Sequence, residues 1–72
     1  MKNLKKILND IEKELDKKVD LTKSYEENDI DSLDAVSVIG IIEDKLNVTF
    51  SDKDLSQVKD FKSLEKIISK KL

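Results

Sequence analysis

Leu4, Ile7, Leu8, Ile11 and Leu15 recur at the spacing of one face of an α-helix, and at the other end of the chain Phe61, Leu64, Ile67, Ile68 and Leu72 do the same. Such periodicity puts an apolar stripe on one side of a segment and leaves the lysines and acids outside. There is no proline to interrupt either segment. The pattern predicts a helix over about residues 3–16 and another over about 61–71, with Asp60 as cap of the second.

A third periodic segment opens at Asp31-Ser32-Leu33-Asp34. Asp31 has the short carboxylate that caps orphan N–H groups, and Asp34 can bond back to it as a weak capping box. Val38, Ile39, Ile42 and Leu46 keep helical spacing, and Asn47 suits a left-handed stop, so a helix is expected from Ser32 to Leu46. Leu33, Val36, Ile41 and Val38 cannot all share one face with Ile39, Ile42 and Leu46. This helix is apolar over more than half its girth, and exposure is expected near its N-terminal end.

Between the first two helices, Lys17 to Asp31 has no helical period. About 15 residues is long for a connection, and loops of that length are often functional. Val19, Leu21 and Tyr25 are expected to pin it to the core. Ser24-Tyr25-Glu26-Glu27 has capping-box form, which predicts one helical turn inside it. After Asn47, Val48-Thr49-Phe50 reads as a strand-like hook. Ser51 with Asp54 forms a capping box for a short helix near residues 52–58 that offers Leu55 and Val58. The expected fold is all-α: a small four-helix bundle of three longer helices and a short third one, in a single domain spanning residues 1–72. Ile39, Ile42, Leu46, Phe50, Leu55, Val58, Leu64 and Ile68 are expected between the helices.

What is missing narrows function. The chain has no Cys and no His. Disulfides and thiolate zinc sites are excluded, and the usual general base is absent. One glycine, Gly40, cannot build a phosphate-cradling loop. No run approaches the roughly 20 apolar residues of a membrane span. Met1-Lys2-Asn3-Leu4-Lys5-Lys6 leads straight into the charged amphipathic pattern without an apolar signal region. A cytoplasmic monomer that is not itself an enzyme is the expectation, with no metal site.

The net charge of −2 conceals a polar arrangement. From Tyr25 to Asp44 there are seven acids (Glu26, Glu27, Asp29, Asp31, Asp34, Glu43, Asp44) and no base. That segment repels nucleic acid and anionic lipid and attracts a basic protein surface. Ser32 sits within it, one residue after the cap. Its hydroxyl is expected at a helix mouth, where N–H groups and the macrodipole tolerate an attached phosphate. A serine at a helix start is also common for structural reasons alone.

Asp31-Ser32-Leu33-Asp34, then Val36, the pairs Val38-Ile39 and Ile41-Ile42, and Glu43-Asp44-Lys45-Leu46 resemble the acyl carrier protein family, whose carriers depend on phosphopantetheine. The likeness covers nearly the whole chain, from the first stripe and long loop to the hook before Phe50 and the closing stripe. The resemblance implies that a phosphopantetheinyl transferase with Mg²⁺ esterifies Ser32 with phosphopantetheine from coenzyme A. The arm's thiol would carry acyl groups as thioesters, in fatty acid synthesis or a dedicated pathway, and would supply the sulfur the chain itself lacks. Asp31, Leu33, Asp34, Val36, Glu43 and Asp44 match positions where such carriers meet partner enzymes with basic docking surfaces. In this family an acyl chain can also slip between the helices.

Three residues depart from a typical fatty-acid carrier. Asp29 stands where glycine is usual, Ser37 where helix two usually shows an acid, and Gly40 where a bulkier apolar residue is common. Gly40 also costs about 1 kcal/mol of helix propensity against alanine. These departures point to a dedicated pathway. Peptidyl and D-alanyl carriers share the fold and remain open, as does an unmodified acidic adaptor. A calcium loop starting at Asp29 is excluded by Leu33 at its fifth position, Asp34 at its sixth and Gly40 at its twelfth.

Overall fold

Ile7 divides the first periodic segment. The computed structural model describes residues 2–72, and where one helix is expected over 3–16 it has two, α1 (Lys2–Lys6) and α2 (Leu8–Leu15). The Ile7 N–H reaches only three residues back, to Leu4 O at 3.2 Å, while Ile11 N–H still bonds Ile7 O at 3.0 Å. The two halves have different partners: α1 packs on α5 (Phe61–Lys71) and α2 on α3 (Ser32–Leu46). A one-residue break lets each half follow its own partner while Leu4, Ile7 and Ile11 stay buried on one stripe. Glu65 of α5 fixes the start of α1. Its carboxylate accepts the Leu4 N–H at 2.9 Å and the Asn3 side-chain N–H at 2.8 Å, which satisfies donors a helix start leaves orphaned.

The segment between α2 and α3 contains no helix, but its backbone is well bonded. Ser24 and Glu27 make the expected capping box, with Glu27 N–H to Ser24 Oγ at 3.0 Å and Ser24 N–H to Glu27 Oε1 at 3.1 Å. The turn they open closes in a Schellman arrangement. Ile30 N–H bonds Tyr25 O at 2.8 Å and Asp29 N–H bonds Glu26 O at 3.0 Å, across a left-handed Asp29 with φ 57°. Asp16 and Asn47 end α2 and α3 in the same conformation. Each of these left-handed stops uses an Asp or Asn, the non-glycine types that tolerate it best. Val19 and Leu21 are buried, and the Tyr25 ring meets Phe61 edge-on with centroids 4.9 Å apart. Burial, with Asp60 nearby, pushes the Tyr25 hydroxyl up to about 12.

The short α4 spans Asp52–Ser56 and is opened by the Ser51–Asp54 capping box. Asp54 also pairs with Lys71 of α5 at 2.8 Å, and Lys71 lies 5.7 Å from the Phe50 ring centroid. Asp60 and Ser63 form a second capping box at α5. Val48–Phe50 is not a strand, and there is no strand among the described residues; Ser24 and Asp60 meet in an isolated antiparallel bridge.

The core consists of Leu4, Ile7, Ile11, Val19, Leu21, Ile30, Val38, Ile42, Phe50, Phe61, Leu64, Ile67 and Ile68. Ile39, Leu46 and Val58 are only half-buried against it. Leu55 and Leu72, expected inside, are exposed. Leu72 is the C-cap of α5, and its N–H still bonds Ile68 O at 3.1 Å while its side chain stays in solvent.

Candidate functional site

The head of α3 is held from three directions. Asp31 is extended at the cap position (φ −87°, ψ −175°), and its Oδ1 accepts the Asp34 N–H at 2.8 Å. The expected reciprocal bond from the Asp34 side chain is not made. That carboxylate turns instead to Lys17, whose Nζ lies 3.4 Å away. The same ammonium donates to Asp29 O at 2.6 Å. Lys17 therefore clasps the residues on both sides of Asp31-Ser32-Leu33. Over this stretch of chain the sequence shows no cation; folding imports one from the end of α2. No short-range spacing links residue 17 to residues 29 and 34, so pattern reading has no signal for it.

Ser32 is the first residue of α3 and is exposed. Other serines are engaged: Ser24, Ser51 and Ser63 in capping boxes, Ser56 with Lys53 O at 2.7 Å, Ser69 with Glu65 at 3.3 Å. The hydroxyls of Ser32 and Ser37 have no hydrogen-bond partner among the described residues. Ser37 is exposed on the middle of α3, away from the helix mouth.

Leu33 and Val36 are 78% and 70% exposed, the two most exposed large apolar side chains described. This is the excess apolar surface the sequence places at the start of this helix. Val36 also forms one wall of a cleft of about 470 Å³ between α3 and α4, with Ala35, Ile39, Gly40 and Glu43 on the α3 side. Phe50, Leu55, Val58 and Tyr25 close it. The α3 residues of this wall follow Ser32 at the i+3, i+4, i+7, i+8 and i+11 positions, which is one helix face. The free hydroxyl and the apolar cleft thus share a side of α3. Of the residues expected between the helices, Ile39, Phe50, Leu55 and Val58 line this cleft, while Ile42, Leu64 and Ile68 are plain core.

The acids part company. Asp31 and Asp44 are exposed. Glu43 is half-buried, and its Oε2 accepts the Phe50 N–H at 2.9 Å, which ties the hook to α3. Asp44 faces a different depression, with Asp10, Lys13, Glu14, Ile41 and Lys45. Among the described residues no three carboxylates converge as a cation site, and no helix is long and apolar enough to cross a membrane.

The free serine hydroxyl and the apolar cleft lie along one side of α3, and carboxylates flank the serine. The family described as the phosphopantetheine attachment site matches residues 2–68, and the chain belongs to it. Its prosthetic group is a covalently attached phosphopantetheine. Comparison with curated proteins and with solved structures gives no significant match.

Proposed function

We propose that this chain is an acyl carrier protein and that Ser32 is its attachment residue. The observation that carries the proposal is the Ser32 hydroxyl, exposed and without an internal partner at the mouth of a 15-residue helix. In the modifying step a transferase removes the Ser32 proton. The serine oxygen then bonds to the phosphorus of coenzyme A's pyrophosphate. The bridging bond breaks, and the adenosine bisphosphate half leaves with the electron pair. The α3 mouth favours the resulting anionic phosphodiester. The group supplies a thiol that holds an acyl chain as a thioester.

The chain's own residues present that group and meet its partners. Leu33 and Val36 offer exposed apolar contact. Asp31 and Asp44 steer a basic enzyme surface, as rim charges do. Asp34 and Glu43 contribute charge while also bracing the fold. The cleft favours an acyl over a peptidyl or D-alanyl cargo, because its lining is apolar and Glu43, its charged member, already serves Phe50. Ser37 and Gly40, both exposed on α3, support service to a dedicated pathway rather than bulk fatty acid synthesis. The chain acts as a monomeric cytoplasmic substrate and shuttle rather than an enzyme.

Intact mass after incubation with coenzyme A, Mg²⁺ and a broad-specificity transferase tests this reading. Added mass on the wild type and none on Ser32→Ala is expected. An unmodified wild type would leave an acidic helical adaptor as the better description.

A further inference from the structure

Gly40 is the chain's sole glycine and stands inside α3, where glycine weakens a helix. Two structural needs commonly explain such a residue. One is a left-handed backbone, but the φ of Gly40 is not positive. The other is close packing, but a Cβ built on Gly40 meets no heavy atom within 4 Å. The fold therefore requires glycine here for neither reason. What the missing side chain leaves is space, and that space belongs to the cleft between α3 and α4, which Gly40 lines.

Gly40 follows Ser32 by eight residues on the same face, about 12 Å along the helix axis. Val36 and Glu43 flank it on α3, and Leu55 and Val58 stand among the residues that close the cleft. We infer that Gly40 is a specificity-determining residue that sets the bore of this cleft and admits the apolar tail of a cargo tethered through Ser32. The inference rests on the carrier reading. The occupant is an acyl tail because the lining offers hydrocarbon contact from Ala35, Val36, Ile39, Phe50, Leu55 and Val58. The lining's carboxylate is turned to a backbone N–H. A methyl at position 40 enters this space without meeting another heavy atom within 4 Å, and a longer side chain there fills more of the cleft.

The test compares wild type, Gly40→Ala, Gly40→Leu and the control Ser37→Leu, each loaded from coenzyme A or from octanoyl-coenzyme A. Loading is verified by intact mass, and the readout is the melting temperature of each form. Before loading, Gly40→Ala melts about 5 °C above wild type, as relief of a helix-interior glycine predicts for a domain this small. The octanoyl form of the wild type melts several degrees above its unacylated form, because a tail held by the folded state alone stabilises it. Ser37→Leu keeps that rise and Gly40→Leu loses most of it. Equal rises in Gly40→Leu and wild type overturn the inference and leave the carrier reading standing. So does a loaded wild type with no rise, which points to an enzyme surface rather than cargo at Gly40. A wild type that takes no added mass overturns both.

Discussion

Helices α3 and α5 use apolar residues for different ends. In the 11 residues of α5, Phe61, Leu64, Ile67 and Ile68 are all buried. In the 15 residues of α3, Val38 and Ile42 are buried, while Leu33 and Val36 stand in solvent and Ala35, Ile39 and Ile41 are half-covered. Helix α5 commits its apolar residues to the core. Helix α3 carries more than the core takes, and the surplus lies beside Ser32. Exposed apolar surface adds nothing to folding stability, so that surplus is a feature of the carrier's surface and not of its stability.

Truncation should separate the two helices sharply. Phe61→Ala removes a fully buried ring in edge contact with Tyr25 and should cost about 3–5 kcal/mol in urea unfolding. Leu33→Ala and Val36→Ala should stay within about 0.5 kcal/mol yet slow transfer to partner enzymes. A Leu33→Ala as unstable as Phe61→Ala would make α3's strip part of the core and erase the contrast.

Loss of a cap is a smaller effect. Asp60→Ala deprives the Ser63 N–H of its 2.8 Å acceptor and should cost about 1 kcal/mol, read in the same unfolding assay. The head of α3 offers the parallel case. Asp31→Ala should cost about as much, and it should also slow modification of Ser32, an effect Asp60→Ala should not have.

Acid should act chiefly on the α4–α5 side. The Lys71 ammonium beside Asp54, with Ser51 N–H, holds that carboxyl down to about 2. The Ser63 N–H and hydroxyl likewise lower Asp60. A folded-state value below the unfolded one gives stability that is present above the ordinary carboxylate range and lost as pH falls toward about 2. Thermal melts should therefore decline through that window, and Asp54→Asn should flatten the decline. The smallest effect expected is a rise in melting temperature with added salt or Mg²⁺, as repulsion among the acids of residues 25–44 is screened. A salt-insensitive melt would contradict that repulsion.

Much of this contrast is legible in the chain itself. The bounds of α3 and α5 follow from their caps and stripes, as does the exposure of Leu33 and Val36, because too many apolar positions encircle α3 for one core to cover. The break at Ile7 is not legible. It depends on α1 and α2 having different packing partners, and the stripe runs through it undisturbed. The turns of Glu65 toward α1, Glu43 toward Phe50 and Lys17 toward Asp29 and Asp34 are long-range choices among many equivalent charged side chains. Asp29 shows the middle ground. The position favours glycine, and the left-handed backbone found there gives the reason.

Peptide mapping of the loaded protein tests the central claim most directly. Trypsin cuts after Lys23 and Lys45 and so releases Ser24, Ser32 and Ser37 on one peptide. Fragmentation should place the phosphopantetheine between Asp31 and Leu33. A group found on Ser37, or on any other peptide, would contradict the account.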